Sequence, residues 1–398
     1  MSKQLIDHSP DLQRLRDDGY DIEIRDGYLL IHNVPYVNSA RVIKFGTIVS
    51  TLDLAGDAAI PPRTHVASFV GEYPCDKDGS PITQIQHGGR QTLDKGLVVD
   101  HSFSAKATTN GQHRDYTDYH EKMTAYIAVL SGAAEALDPN VTARIFPKVE
   151  SDDKESIFNY VDTASSRAGI NFVARKLELE KIAIIGAGGT GSYVLDLVAK
   201  TRVGQIHVFD GDKFSNHNAF RSPGAPSVDE LRAHPTKAAH FSRLYSAMHR
   251  QIIAHEYYIN VDTVVELREM DFVFLCLDRG NDKRLIVERL EEWGISFIDV
   301  GMGVAAFDES LQGIVRVTTS SRDKRDHVHN KNRIPFSDGN ENADYSRNIQ
   351  IADLNALNAA LAVIRWKKLF GFYEDTEHEH FSAYVVGGNT LINEDKAP

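Results

Sequence analysis

Between Ile184 and Ala199 the chain reads IIGAGGTGSYVLDLVA, and Gly186, Gly188 and Gly191 stand there in the spacing G-x-G-x-x-G. The apolar run KIAIIG precedes them, and TGSYVLDLVAK follows with apolar residues at helical spacing. A buried strand that turns this tightly into a helix restricts the fold sharply. Glycines let the backbone reverse and approach a ligand. The helix N-terminus then offers free N–H groups and the positive end of its dipole to an anion.

The residues that follow continue the alternation. IHVFD, FVFLCLD and SFIDV read as strands, and TKAAHFSRLYSAMH and NDKRLIVERLEEW read as helices. Strands alternating with helices predict an α/β unit, Rossmann-like, with a doubly wound and mostly parallel sheet. A further helix is expected from about Ile349 to Phe370, and AYVVGGNTLI reads as a closing hairpin. The first 150 residues differ in pattern. DIEIRDGYLLIHNV alternates on both sides of Asp26-Gly27, a hairpin signal, and RVIKFGTIV and THVASFVGEY are strand-like. A helix is expected from about Asp118 to Leu137, ahead of Asp138-Pro139. The polar stretch Lys148 to Ser156 reads as a linker. The expected organisation is a smaller α+β domain over residues 1–150 and a nucleotide-binding α/β domain over 160–398.

Composition excludes several function classes. A net charge of −12 with interspersed signs argues against nucleic-acid binding and against an anionic membrane surface. No apolar run reaches the ~20 residues of a membrane span, and MSKQLIDHSPDLQRLRDDGY lacks the apolar core of a signal peptide. The expected location is cytoplasmic. Two cysteines, Cys75 and Cys276, are too few for a disulfide framework or a four-thiolate zinc site.

The glycine loop alone does not say which nucleotide is bound. Asp210 closes the next strand, where a carboxylate can take ribose hydroxyls. In GDKFSNHNAFR, Asn218 and Arg221 lie eight and eleven residues beyond it, and Lys237 follows at the expected start of a helix. Asp278 ends a later strand, in CLDRGND. Arginine, lysine and a carboxylate able to hold Mg²⁺ suit a triphosphate, because charge builds on the α-phosphate and on departing pyrophosphate. Hydride transfer needs none of them.

This stretch resembles the ThiF/MoeB/ubiquitin-activating superfamily of ATP-dependent adenylyltransferases. The residues that carry the resemblance are Gly186-Ala-Gly188-Gly189-Thr-Gly191, Asp210, Asn218-Ala-Phe-Arg221, Lys237 and Asp278. The resemblance implies ATP and Mg²⁺ as the ligands. Asp210 would bind the ribose, Asn218, Arg221 and Lys237 the phosphates, and Asp278 the Mg²⁺. It further implies a homodimer, with Arg167 reaching the partner's ATP, although Arg175 also lies upstream. The reaction implied is adenylation of the C-terminal glycine carboxylate of a ubiquitin-like protein, with a conjugating-enzyme-like protein as a further partner.

The sequence departs from that pattern. Arg279 follows Asp278 where an Asn is usual, paired CxxC motifs are absent, and Val317 to Asn348 contains no cysteine where thioester-forming members carry one. Cys276, inside an apolar run, reads as core, and Cys75, on a turn among acidic residues, is a poor nucleophile. Two routes follow. The adenylate passes to a separate acceptor, or a hydroxyl among Thr318, Thr319, Ser320 and Ser321 takes the acyl group as an ester, with His327 and His329 nearby as bases. The first domain resembles the uncharacterised domain that precedes ThiF-like modules in bacterial ubiquitin-like conjugation operons, and partner binding is its expected role. His65, Glu72, His101 and His120 are scattered there without metal-site spacing, and Val99 to Lys106 has no triad spacing. Sulfur-carrier or cofactor biosynthesis, an inactive ThiF-like scaffold and an NAD-dependent oxidoreductase remain as alternatives.

Overall fold

The computed structural model describes residues 2–93, 96–109, 111–147, 156–168, 170–277, 280–336 and 349–397. The chain divides into two compact units, one of Met1–Val149 with Thr163–Ala168 and one of Glu150–Asp162 with Gly169–Pro398.

The first unit is built on a six-stranded antiparallel sheet, in the order Asp21–Arg25, Tyr28–Val37, Ile43–Thr51, Val66–Val70, His101–Ser104, Gln86–Gly88. Asp26 and Gly27 both take positive φ, the conformation of a two-residue turn whose twist matches the flanking strands. The hairpin it closes pairs Arg25 with Tyr28 and Asp21 with His32. The helix Tyr119–Leu137 begins where Asp118 accepts a hydrogen bond from the Glu121 N–H, an N-cap that satisfies one free donor of the first turn. Tyr119, Met123, Tyr126, Ile127 and Leu130, spaced at three and four, pack with Leu29, Ile31, Ile48 and Phe69 of the sheet in one core.

The second unit carries an eight-stranded sheet. Its order is Ile252–His255, Gln205–Phe209, Lys181–Ile185, Phe272–Leu275, Ser296–Phe307, Ser310–Ser320, Phe381–Val385, Thr390–Glu394. The first five strands are parallel, and the last three extend the sheet antiparallel. Alternate residues of the central strands feed two cores. Ile182, Ile184, Phe272 and Phe274 meet Val194, Phe241, Ala359 and Trp366 of the helices Gly189–Val198, Lys237–Tyr245 and Ala352–Leu369. Ala183, Ile185, Val273 and Leu275 meet Ile286, Val287 and Leu290 of Gly280–Glu292. Strands buried on both faces are what a mostly parallel sheet requires.

Two departures from the sequence reading matter. SFIDV does not stop after five residues; its strand runs on through Phe307 and turns back along Ser310–Ser320 as a long hairpin. The expected polar crossover therefore begins as a buried strand. The edge strand Ile252–His255 was not anticipated, since IIAH is too short to show a period. The expected linker, Lys148 to Ser156, lies outside the described residues apart from Ser156. Among the described residues no helix is long and apolar enough to cross a membrane.

Candidate active site

In a sheet ordered this way, connections leave in opposite directions on either side of the first strand, and a crevice opens at the carboxyl ends of the strands. A cavity of about 270 Å³ lies there in the second unit. The glycine loop forms its floor. Gly186 has φ +92°, and a Cβ on it would sit 2.5 Å from the Cys276 carbonyl oxygen. A Cβ on Gly191 would sit 1.8 Å from the Gly186 carbonyl oxygen, so only glycine lets the helix start this close to the loop. Nothing lies within 4 Å of a Cβ built on Gly188. Its backbone faces open space in the cavity, whereas a Cβ on Gly189, which also lines the cavity, would sit 2.1 Å from Asn355 Nδ2.

Asp210 follows the strand Gln205–Phe209 and is buried. Its carboxylate accepts hydrogen bonds from the N–H of Ala187 at 2.7 Å and of Asp212 at 2.9 Å, which ties the glycine loop to the second strand. Burial pushes its pKa up, and Lys237, whose Nζ is 3.7 Å away, opposes that shift. Lys237 opens the helix Lys237–Tyr245 behind the N-cap Thr236, whose hydroxyl accepts from the Ala239 N–H at 3.1 Å. Its Nζ is 2.7 Å from Asp212 Oδ2, and the Tyr258 hydroxyl donates to Asp212 Oδ1.

Asn218 and Arg221 stand on the short helical turn Asn216–Ala219 and just after it. Asn218 Oδ1 accepts from the Ser215 N–H at 2.9 Å, which leaves its Nδ2 buried and without a hydrogen-bond partner among the described residues. Arg221 Nε is in the same condition. A buried donor without an acceptor costs free energy, on the order of 1–3 kcal/mol. Donors left over in this way beside a cavity suit an anion rich in oxygen.

The structure brings Gly186, Gly188, Gly189, Asp210, Arg221 and Lys237 together on the cavity wall. Gly191 and Asn218 stand behind it. Asp278 and Arg279 lie outside the described residues, as does the side chain of Arg167, whose helix Thr163–Arg167 groups with the first unit. Cys276 is partly buried and lines the cavity, rather than sitting wholly in the core.

The hydroxyl run is not at this site. Thr318, Thr319 and Ser320 pair in register with Asp299, Ile298 and Phe297 of the antiparallel neighbour, whose next residues, Val300–Met302, line the cavity, but none of the hydroxyl residues lines it. All four hydroxyl residues are buried, and Ser321 Oγ is 2.9 Å from His380 Nε2, also buried. His327 is buried as well, and His329 pairs with Glu291 at 2.8 Å. All four hydroxyl residues are enclosed and none lines the cavity, so the structure does not present them to an adenylate there. Cys75 is 1 % exposed, not on an open turn, and burial raises its thiol pKa. In the first unit His65 meets Ser104 and His120 meets Asp18. No group of three or more His, Cys, Asp or Glu that would hold a metal occurs among the described residues.

The helix Ala352–Leu369 was expected from the sequence, but its part in the site was not. Its Asn355, 1 % exposed, accepts from the Thr190 hydroxyl at 2.9 Å and donates to the Arg221 carbonyl at 3.2 Å, locking the glycine-loop helix to the arginine turn. One turn on, Asn358 donates to the Gly301 carbonyl at 3.0 Å. Two asparagines three apart on an otherwise apolar face were the available signal.

Residues 10–163 match a domain of unknown function, DUF6791. No curated protein matches the chain. Among solved structures, E. coli MccB with ATP is 17% identical, with 67% of this chain and 78% of that chain covered at a TM-score of 0.43. The microcin C7 biosynthetic enzyme MccB in complex with N-formylated MccA is 18% identical, with 59% and 70% covered at 0.42. PaaA is 14% identical, with 79% and 99% covered at 0.46. Residues 164–353, which include the glycine loop, Asp210, Arg221 and Lys237, match the ThiF family and form a ThiF-family domain.

Proposed function

We propose that this protein is an ATP-dependent adenylyltransferase that activates the C-terminal carboxylate of a ubiquitin-like protein. The observation that carries the reading is the convergence of the glycine loop, Asp210, Arg221 and Lys237 on one cavity of a ThiF-family domain. Asp210 would take the ribose hydroxyls, and the loop N–H groups the phosphates. A carboxylate oxygen of the acceptor attacks the α-phosphorus, the bond from that phosphorus to the bridging oxygen breaks, and pyrophosphate leaves. Negative charge grows on the non-bridging and leaving oxygens. Arg221 and Lys237 meet it in a site already shaped for it, so no reorganisation is needed at that moment.

Carboxylate oxygens are the donors Mg²⁺ prefers, usually one or two together with substrate phosphates. The cavity presents those of Asp210, Asp212 and Asp282, which fit that donor set, and the resemblance adds Asp278. When bound, the ion would offset phosphate charge.

The ubiquitin-like acceptor is supported by the sequence resemblance, as is a homodimer in which Arg167 reaches the partner's site. Transfer of the acyl group to a nucleophile on a separate, conjugating-enzyme-like protein is supported by the enclosure of Cys75 and of the hydroxyl run. The test is ATP–pyrophosphate exchange with small proteins ending in glycine, beside calorimetry with ATP and NAD. Exchange that depends on one such protein, with ATP bound in preference to NAD, is the expected result. Preference for NAD, or no exchange with any acceptor, would remove the reading.

A further inference from the structure

One charged cluster beside the cavity is left unused by that chemistry. Asp299, on the strand Ser296–Phe307, is fully buried. Its carboxylate pairs with Lys283 Nζ at 2.7 Å and with Arg316 Nη2 at 2.9 Å. Two cations on one carboxylate leave one positive charge in excess, and neither cation has another ion-pair partner among the described residues. One counter-charge suffices for a buried carboxylate. The second cation, only partly shielded from water, keeps a charge that a further anion could meet.

The two cations are not equivalent. The Lys283 side chain is 4% exposed, which makes it the internal partner, whereas that of Arg316 is 22% exposed. Arg316 Nε is buried without a hydrogen-bond partner among the described residues. Arg316 lies directly across from Gly301 in the hairpin, and Gly301 lines the cavity. A Cβ on Gly301 would sit 2.5 Å from Arg316 Nη2 and 2.9 Å from Cζ. The guanidinium therefore fills the space that a side chain on Gly301 would take, beside a residue of the cavity wall although Arg316 does not itself line the cavity.

The sheet order assigns a direction. Asp210 follows the strand on one side of the glycine loop's strand, and Gly301 and Arg316 lie on the other side. Gly301 is two strands from the loop, about 10 Å at the usual strand spacing. A nucleotide with its ribose at Asp210 and its phosphates over the loop leaves the Gly301 side to the group that attacks it.

We propose that Arg316 binds the carboxylate of the acyl substrate, a peptide C-terminus, on the Gly301 side of the cavity, ahead of its attack on the α-phosphate. The inference rests on the adenylation reading. Lys283 neutralises Asp299, Asp299 orients the guanidinium, and the charge of Arg316 remains for the ligand. A guanidinium matches a carboxylate by charge and by the geometry of its N–H groups.

The test uses the full-length protein loaded with AMP. Its probe is a fluorescein-labelled synthetic peptide ending in Gly-Gly, made as the free carboxylate and as the C-terminal amide. Anisotropy should show the carboxylate form binding about tenfold tighter or more, the scale of a hydrogen bond to a charged group. Arg316→Gln should abolish that preference and leave ATP affinity unchanged, because Lys283 still neutralises Asp299. Arg316→Lys should keep part of the preference. Gly301→Ala, which pushes the guanidinium off its seat without removing its charge, should narrow it, and these two variants decide the matter if Arg316→Gln does not fold. No preference in the unmodified protein, or a preference that survives Arg316→Gln, would overturn the proposal. So would a loss of ATP or pyrophosphate affinity in Arg316→Gln, since the cation would then belong to the phosphates. An intact carboxylate preference without ATP–pyrophosphate exchange would end the adenylation reading and leave Arg316 as a carboxylate site. Exchange without the preference would end this inference alone.

Discussion

Lys122 of the first unit and Lys237 of the second are both buried, and they are treated differently. Lys237, in the second unit, lies against the carboxylates of Asp212 and Asp210 at the edge of an open cavity. Lys122, in the first unit, is 0 % exposed and donates at 2.8 Å to two neutral oxygens, the Ser50 hydroxyl and the Thr64 carbonyl. Burial pulls its pKa down to about 8. Around Lys237 polar groups have capacity to spare, as the unmatched Asn218 Nδ2 and Arg221 Nε show. Around Lys122 they are closed on one another. The Tyr119 hydroxyl accepts from the Asp53 N–H at 2.7 Å and donates to the Thr51 carbonyl at 2.9 Å. The Tyr126 hydroxyl likewise accepts from Ala105 N–H and donates to His65 O. Leftover capacity marks a site that awaits a ligand, and closure marks a core that specifies its own packing.

The contrast predicts a graded set of outcomes. The largest belongs to Gly191→Ala. Its Cβ would meet a backbone oxygen at 1.8 Å, which no rotamer change relieves, so the loop and helix must separate. Nucleotide binding measured by calorimetry should be lost altogether. A variant that still binds ATP would show that the loop tolerates another geometry.

Lys237→Ala and Arg221→Ala come next. Each removes a cation from the cavity wall, and the exchange rate should fall by about 10² or more, the scale for losing a charge-stabilising group. Near-normal exchange in either variant would place that residue outside the chemistry and erase half of the contrast.

Lys122 supplies the pH dependence. In the unfolded chain the amine keeps its proton to about pH 10.4, whereas in the folded unit it releases it near 8. Between those values the unfolded state binds more protons, so stability must rise with pH, by at most about 1.4 kcal/mol per unit for one group. Denaturant melts across that window should show the rise, and Lys122→Met should flatten it. An unchanged slope in Lys122→Met would mean that the amine titrates as it would in water. Tyr119→Phe is the mildest change. It leaves the Asp53 N–H and Thr51 carbonyl short of a partner and should cost about 1–2 kcal/mol of stability. Nucleotide binding by the second unit should not change. A fall in ATP affinity would contradict the assignment of this region to packing.

Short-range features were legible in the chain itself. Asp26-Gly27 announces a turn because few other pairs accept two positive φ values in succession. Asp118 announces a helix start because its carboxylate can reach the N–H three residues on. The glycine spacing, with Asp210, Arg221 and Lys237 after it, named the elements of the cavity before their positions were known. The burial of the Thr318–Ser321 run was not legible, because the run is polar in sequence. Its hydroxyls are satisfied or enclosed by neighbours far along the chain, as Ser321 is by His380, 59 residues away.

What the sequence by itself determined is the local chemistry: which residues turn, which cap, which alternate between two faces, and which carry the charges that suit a triphosphate. The tertiary structure alone decided which of those charges share a cavity. Asn355 joins Thr190 to Arg221 across more than a hundred residues, and Asp299 draws Lys283 and Arg316 from two other elements. The physical reason is one of range. Propensity and capping act over three or four residues and leave a trace in the order of the chain. Strand pairing and the burial of a carboxylate act through space, and the residues they bring together have no fixed separation in sequence.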